Sequence, residues 1–301
     1  MFLVFCAGMS AKPKIAIVGA GNLGSALARA LHGAGYRISE IVYHGSGRGQ
    51  RARQLAARVK SRAVALPKAP LLAEVVWLCV PDSQIASCAQ DLAEVGDWRG
   101  MVALHPSGAL TSDELQPLRR RGAAVAAAHP LTTFVRRSSP SLAGVAFAIE
   151  GDTAAVRAAR RMVRDLGGES FSVRRQDKAL YHAWGAFASP LLIALLAGAE
   201  QVAMAARVRS LAAARKRMLP ILQQTLRNYG TLGPADAFSG PLVRGDVATV
   251  RRHLQALARL PLARQLYVAL ARTALDTLPI RNRKELQSVL KLPSPPRRRA
   301  R

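Results

Sequence analysis

Apolar positions in the first half of the chain fall into short runs separated by longer amphipathic stretches. Ile15, Ile17 and Val18 form a buried-strand pattern, and Leu23, Leu27 and Leu31 follow it at helical spacing. Ile38 to Tyr43 reads as a second strand, 48–59 as a helix and Ser61 to Leu66 as a short strand. Val75 to Val80 is wholly apolar and runs into Pro81-Asp82-Ser83, where Asp82 or Ser83 is placed to cap a helix. Apolar strands are predicted at Met101 to Leu104 and Ala123 to Ala128, on either side of a helix from Ser112 to Arg120. Gly144 to Glu150 and Ser170 to Val173 flank a helix from Thr153 to Leu166 and extend the same sheet. Repeated strand–helix alternation of this kind predicts an α/β fold with a doubly wound parallel sheet.

From about Gln176 the period becomes helical throughout. Helices are expected over 178–206, 208–229, 246–259 and 262–278, interrupted by Gly230 to Pro241, with Asp246 as an N-cap. The expected organisation is an α/β sheet domain over 12–174, a smaller all-helical domain over 175–292, and a disordered Pro- and Arg-rich tail over 293–301. The longest apolar run, Ala186 to Ala199, is short for a bilayer span and reads as a buried core or dimer helix.

Charge adds one question. Lys and Arg number 44 against 18 Asp and Glu, giving a net charge of +26. The basic residues are scattered, aromatics are sparse and no nucleic-acid motif accompanies them, so a solvated arginine-rich surface is favoured over a nucleic-acid interface. An anionic small molecule would still be attracted. Cys6, Cys79 and Cys88 make no CxxC pair, which points to a reducing, cytoplasmic setting without structural zinc or disulfides. The apolar start, Met1 to Gly8, lacks a basic n-region, so a secretory signal is not expected, and Met9 is an alternative first residue.

The first strand feeds directly into Gly19-Ala20-Gly21-Asn22-Leu23-Gly24. Strand, glycine turn and helix N-terminus together make a binding site for a dinucleotide pyrophosphate. Gly19 allows the turn, Gly21 lets the backbone approach the phosphates, and Gly24 allows close helix–strand packing. After the second strand an NAD site usually carries an acid for the ribose hydroxyls. Tyr43 to Arg51 contains none, whereas Ser46 and Arg48 suit a 2′-phosphate and Arg51 adds charge, so NADP is favoured over NAD. Val80, Pro81 and Asp82 sit at the carboxyl edge of the sheet, the usual ligand side.

Three histidine-bearing segments are candidates for substrate chemistry: His105-Pro106-Ser107-Gly108, His129-Pro130-Leu131-Thr132-Thr133-Phe134 and Lys178-Ala179-Leu180-Tyr181-His182. Histidine exchanges protons near neutral pH and suits a carbonyl or imine receiving hydride. His182 or Lys178 is the expected proton donor, with Ser107, His105 and His129 shaping the pocket. The histidines lack metal-ligand spacing, and no metal is expected. Gly240 to Asp246 reads as a loop into a helix, with Arg244 facing a substrate anion or a dimer mate.

These segments, with the glycine turn, Val80-Pro81-Asp82 and Gly240-Pro-Leu-Val-Arg-Gly-Asp246, resemble an uncharacterised two-domain family over roughly residues 12 to 260. That family pairs a Rossmann-like domain with a C-terminal domain of unknown function, and its members are named as NADP oxidoreductases. It is similar to the group containing 3-hydroxyisobutyrate dehydrogenase, ketopantoate reductase and pyrroline-5-carboxylate reductase. The resemblance implies a helical second domain like that of phosphogluconate dehydrogenase, homodimerisation and an active site in the interdomain cleft. Ser189-Pro190 departs from the Ser-Asn expected in the first long helix, and Lys178 is followed four residues on by His182 rather than Asn. The reading that follows is an NADP(H)-dependent oxidoreductase acting on a small carbonyl, hydroxyl or imine compound. A dinucleotide-binding sensor or scaffold without turnover is the alternative.

Overall fold

The computed structural model describes residues 12–44, 49–135 and 140–291. In the N-terminal region, strands β1 (Ile15–Val18), β2 (Ile38–Tyr43), β3 (Arg62–Ala65), β4 (Val75–Leu78), β5 (Val102–His105), β6 (Ala124–Pro130), β7 (Ala146–Gly151) and β8 (Glu169–Ser172) form one sheet. Helices α1 (Asn22–Gly33), α2 (Gly49–Arg58), α3 (Ile85–Ala93), α4 (Gln116–Arg120) and α5 (Thr153–Asp165) connect them. The strand order is β3-β2-β1-β4-β5-β6-β7-β8. Chain order reverses between β1 and β4, and this reversal opens the ligand crevice at their carboxyl ends. One pairing departs from the expected all-parallel sheet: β7 runs antiparallel to β6, with Ala126 opposite Gly151 and Pro130 opposite Phe147. Among the described residues the connection from β6 to β7 carries no crossover helix, and the chain returns beside the strand it has just left.

Strand alternation accounts for the two-sided core. Ile15 and Ile17 join Leu27, Leu31, Trp77, Phe147 and Met162 on one face. Ala16 and Val18 join Val76, Leu78, Ile85, Leu92 and Trp98 on the other. The central strands β1 and β4 are apolar on both sides because helices cover both. Helix α5 buries Ala155, Ala159, Met162 and Val163 and turns its arginines outward.

The helical region comprises α6 (Lys178–Ala188), α7 (Pro190–Ala205), α8 (Leu211–Ala237), α9 (Pro241–Arg244), α10 (Val247–Ala256), α11 (Pro261–Thr277) and α12 (Arg283–Val289). Ser189-Pro190 divides the predicted first long helix in two, with Ser189 at φ −132° and ψ −84° and Pro190 opening α7. Helix α8 is interrupted at Gly233, non-helical at φ +77° and ψ 172°, inside the predicted break at 230–241, and helical turns resume to Ala237. Asp246 caps α10 as expected, accepting from the Thr249 amide at 3.0 Å. The small core of Val250, Leu254, Val268, Leu275, Leu286 and Leu290 includes α12, which the sequence pattern did not reveal. The tail at 293–301 lies outside the described residues.

The chain divides into two compact units, 1–186 and 187–301, so α6 as far as residue 186 belongs by its contacts to the sheet-bearing unit. Of the two readings of the apolar run, buried core or dimer helix, the structure removes the first. The helical stretch Arg175–Ala205, 31 residues, is long and apolar enough to cross a membrane by length and composition. None of its apolar window is buried within the chain, so it is not a core helix.

Candidate functional site

The glycine turn closes β1 onto its neighbours: the Gly19 amide donates to Val42 O at 2.8 Å, and the Cys79 amide to Val18 O at 2.7 Å. Gly19 sits at φ +101°, and a Cβ there would run into the Cys79 carbonyl. A Cβ on Gly24 would collide with the Gly19 carbonyl and stand 3.0 Å from Cys79 Cβ, so only glycine lets α1 come this close to the sheet. Gly21 differs, because a Cβ there would point into open space. It is the N-cap of α1, whose first turn has no acidic residue and no side-chain cap. Free helix N–H groups facing open space attract an anion. Ala20 and Leu23 complete the turn half-buried, and Asn22 Nδ2 donates to Phe134 O at 3.1 Å, tying the turn to the segment after β6.

Ser46 and Arg48 lie outside the described residues. Of the basic groups around them, Arg51 is exposed at the start of α2. The Arg53 guanidinium lies beside the end of β2: an added Cβ on Gly49 would be 3.0 Å from its Nη1 and 3.3 Å from the Tyr43 ring.

Val80, Pro81 and Asp82 follow β4. Neither Asp82 nor Ser83 caps α3; a 3-10 turn over Asp82–Gln84 precedes it, and neither that turn nor α3 has a side-chain cap. The Asp82 carboxylate instead accepts from Ser107 Oγ at 2.7 Å, and Ser107 Oγ accepts from the Leu110 amide at 3.0 Å. His105 is wholly buried at the end of β5. Its Nε2 bonds the Thr111 carbonyl at 2.9 Å and its Nδ1 accepts from the Ser107 amide at 3.2 Å. Both nitrogens are engaged with a neutral ring, and burial lowers its pKa to about 4. This arrangement makes His105 the internal strut of the Ser107 loop.

Lys178 is 1% exposed at the start of α6. Its ammonium donates to Ser107 O at 3.1 Å and lies 3.9 Å from Glu150 Oε1. Burial lowers its pKa to about 8, against the pull of Glu150 and Asp82. Glu150, at the end of β7, also accepts from the Ser112 amide at 2.6 Å, from Ser112 Oγ at 2.9 Å and from Arg175 Nε at 3.2 Å. Lys178 and Arg175 thereby anchor the start of α6 to the sheet. One turn on, Tyr181 Oη meets His129 Nδ1 at 2.6 Å. The His129 ring packs edge-on against His182, centroids 6.0 Å apart. Both imidazoles close on Gly108, where an added Cβ would be 2.7 Å from His182 Cδ2 and 3.0 Å from His129 Nε2. Burial, with His182 and Lys178 nearby, lowers the His129 pKa to about 4.

The segments after β4, β5 and β6 and the start of α6 therefore converge, bringing together Asp82, Ser107, His129, Lys178 and His182. Tyr181 and Glu150 were missed from sequence. Tyr181 lies three residues after Lys178, on the same helical face, and Glu150 is a lone acid closing an apolar strand. Among the described residues no group of three or more His, Cys, Asp or Glu is arranged to hold a metal ion.

Two family profiles match the chain, a Rossmann-like domain over 7–130 and a domain of unknown function, DUF2520, over 145–274. The chain joins a Rossmann-like domain to DUF2520. No curated protein sequence matches it. Among solved structures it is similar to a provisionally named NADP oxidoreductase from Bacteroides fragilis, with 23% identity and a TM-score of 0.72 over 87% of this chain and 97% of that one. A reductive aminase from Aspergillus terreus, solved with NADPH and ethyl-5-oxohexanoate, gives 14% identity and 0.65 over 92% and 99%. A pyrroline-5-carboxylate reductase from Coxiella burnetii gives 15% identity and 0.56 over 94% and 100%. These likenesses establish the shared fold, a mostly parallel Rossmann sheet followed by helices.

Proposed function

We propose that the chain is an NADP(H)-dependent oxidoreductase that reduces, or forms by the reverse reaction, a small carbonyl or imine compound. The carrying observation is the Gly19–Gly24 turn at the sheet's reversal point, with Gly21 facing open space at an uncapped helix N-terminus. Gly19 to Gly24 would hold the pyrophosphate, and Val80 to Asp82 would border the nicotinamide ribose. Ser46, Arg48 and Arg51 would hold the 2′-phosphate, with Arg53 adding positive charge by Gly49 at the end of β2. When bound, the nicotinamide supplies or accepts hydride. The protein's own role is to hold the substrate near Gly108 and exchange a proton there through the adjoining histidines, while Ser107, His105 and Lys178 fix the loop that carries Gly108. NADPH in the Aspergillus terreus structure and the reductase names of the neighbours support this reading.

A homodimer fits the surface. Residues 179–206 contain no Lys or Arg in a chain with 44 of them, and Leu180, Trp184 and Phe187 are 76%, 57% and 72% exposed along one side of α6. An uncharged apolar stripe on a strongly basic chain suits contact with a second copy, where like charges would otherwise repel.

Calorimetric titration with NADPH and, separately, NADH tests the cofactor. Micromolar NADPH binding with much weaker NADH supports the assignment. Binding of neither removes it and leaves a different ligand for the glycine turn. Arg48→Glu should weaken NADPH far more than NADH, and equal losses would count against the 2′-phosphate site.

A further inference from the structure

Resting on the oxidoreductase reading, we infer that His129 is the proton donor of the site and that Tyr181 is the positioning residue that fixes its tautomer. The expected donors are placed less well. The Lys178 ammonium is buried, donates to the Ser107 carbonyl and lies 3.9 Å from Glu150 Oε1, so it anchors the Ser107 loop to the sheet. His105 has both nitrogens engaged. His182 is exposed and meets Gly108 through a ring carbon.

His129 is only partly buried at the end of β6, and its one hydrogen bond described is from Nδ1 to Tyr181 Oη at 2.6 Å. Tyr181 is 8% exposed, and burial pushes its pKa up to about 12. A neutral phenol beside a neutral imidazole donates its proton to Nδ1, which leaves the ring hydrogen on Nε2. Nε2 faces the Gly108 side, where the glycine leaves room that any side chain would fill. The groups facing this ring are Tyr181, His182 and Lys178 from α6 and Asp82 from the segment after β4. Lys178 and a protonated His182 oppose a second proton on His129, whereas Asp82 favours it. A neutral imidazole that donates through Nε2 is a competent acid when its partner becomes strongly basic.

In the reductive direction the substrate carbon gains hydride as the nicotinamide is oxidised, and its C=O or C=N π pair moves to the heteroatom. That atom forms a bond to the Nε2 proton. The N–H pair stays on the ring and Nδ1 takes the Tyr181 proton; Nε2 then takes a proton from solvent and Nδ1 returns its own to the phenolate, which restores the starting pair. The net change is addition of one hydride and one proton.

Nitrogen-15 NMR of the intact protein tests the assignment without turnover. His129 resonances are identified by their absence in His129→Gln. The expected result is a neutral Nε2–H ring from pH 5.5 to 8 in the wild type. In Tyr181→Phe, the preference for that tautomer is lost while the fold and NADPH affinity are kept. A His129 that titrates near 6.5, or a tautomer unmoved by Tyr181→Phe, overturns the inference. If NADPH does not bind but the tautomer behaves as expected, the positioning by Tyr181 stands and the donor role falls with the oxidoreductase reading. On any ketone or imine found to turn over, His129→Gln should lower kcat at least tenfold with KM for NADPH within twofold. Unchanged kcat would refute the donor role.

Discussion

Lowering the pH from 7 to 5 should unfold the sheet-bearing unit more easily, in part through His105. Its ring is wholly buried, donates from Nε2 to Thr111 O and accepts at Nδ1 from the Ser107 amide. A second proton would set Nδ1–H against that amide in a site shielded from water. The pKa falls from 6.5 to about 4 through burial. The unfolded chain therefore binds the proton first, and stability is lost as pH falls from about 6.5 towards about 4. Across the whole window a shift of this size corresponds to roughly 3 kcal/mol, of which about 2 kcal/mol is lost between pH 7 and 5. His129, also lowered to about 4 by burial with His182 and Lys178 nearby, adds to this loss through the same linkage. Asp152 and Asp165, both with lowered pKa values, act at more acid pH and leave this window to the histidines. Urea unfolding followed by fluorescence of the buried Trp77 and Trp98 at pH 7, 6 and 5 gives the dependence directly. His105→Gln should remove its own share, about 2 kcal/mol between pH 7 and 5. A wild-type loss below about 0.5 kcal/mol between pH 7 and 5, where linkage gives about 2, would refute the reasoning, as would an unchanged slope in the variant.

Two glycine variants should separate packing from ligand approach. Gly24→Ala places a Cβ against the Gly19 carbonyl, so it should destabilise by roughly 1–3 kcal/mol in urea unfolding and abolish NADPH binding. Gly21→Ala meets no protein atom, so it should leave stability within about 0.5–1 kcal/mol while weakening NADPH in calorimetry; unchanged affinity would move the phosphate site elsewhere. Gly108→Ala presses on both imidazoles and should shift the Tyr181–His129 pair, lowering the melting temperature and perturbing the His129 nitrogen resonances. Trp184→Arg, on the exposed side of α6, should turn a dimer into a monomer in light scattering, and an unchanged mass would remove that stripe from the interface.

Much of the sheet was legible because buried parallel strands are written as short apolar runs, and Ile38–Tyr43 matched its predicted bounds residue for residue. The glycine turn was legible for a related reason: Gly19 and Gly24 answer steric demands that no other residue meets. The reversal at β7 was not legible, since a strand's direction leaves no mark in its own pattern. Helix α12 escaped because Arg283–Val289 is short and mostly exposed, with Leu286 its one buried residue. At the candidate site, residue types gave the histidines but not their partners. His105 and His129 look alike in the sequence, each preceding a proline, yet one has both nitrogens engaged and the other meets Tyr181. His105 finds its partners within its own loop, at Ser107 and Thr111, whereas His129 meets Tyr181 from a segment 52 residues away, and residue type alone encodes neither.

The antiparallel β6–β7 pairing also bears on how this protein can be taken apart. The two family profiles meet across it, one ending at residue 130 and the other beginning at 145. A gene cut at that seam would separate neighbouring strands of one sheet, leaving β6 on one fragment and β7, β8 and α5 on the other, each with a freshly opened hydrogen-bonding edge. Such edges invite aggregation. The DUF2520 segment therefore shares one sheet with the strands before it, and a fragment or chimera meant to stay soluble should be divided near residue 186 instead.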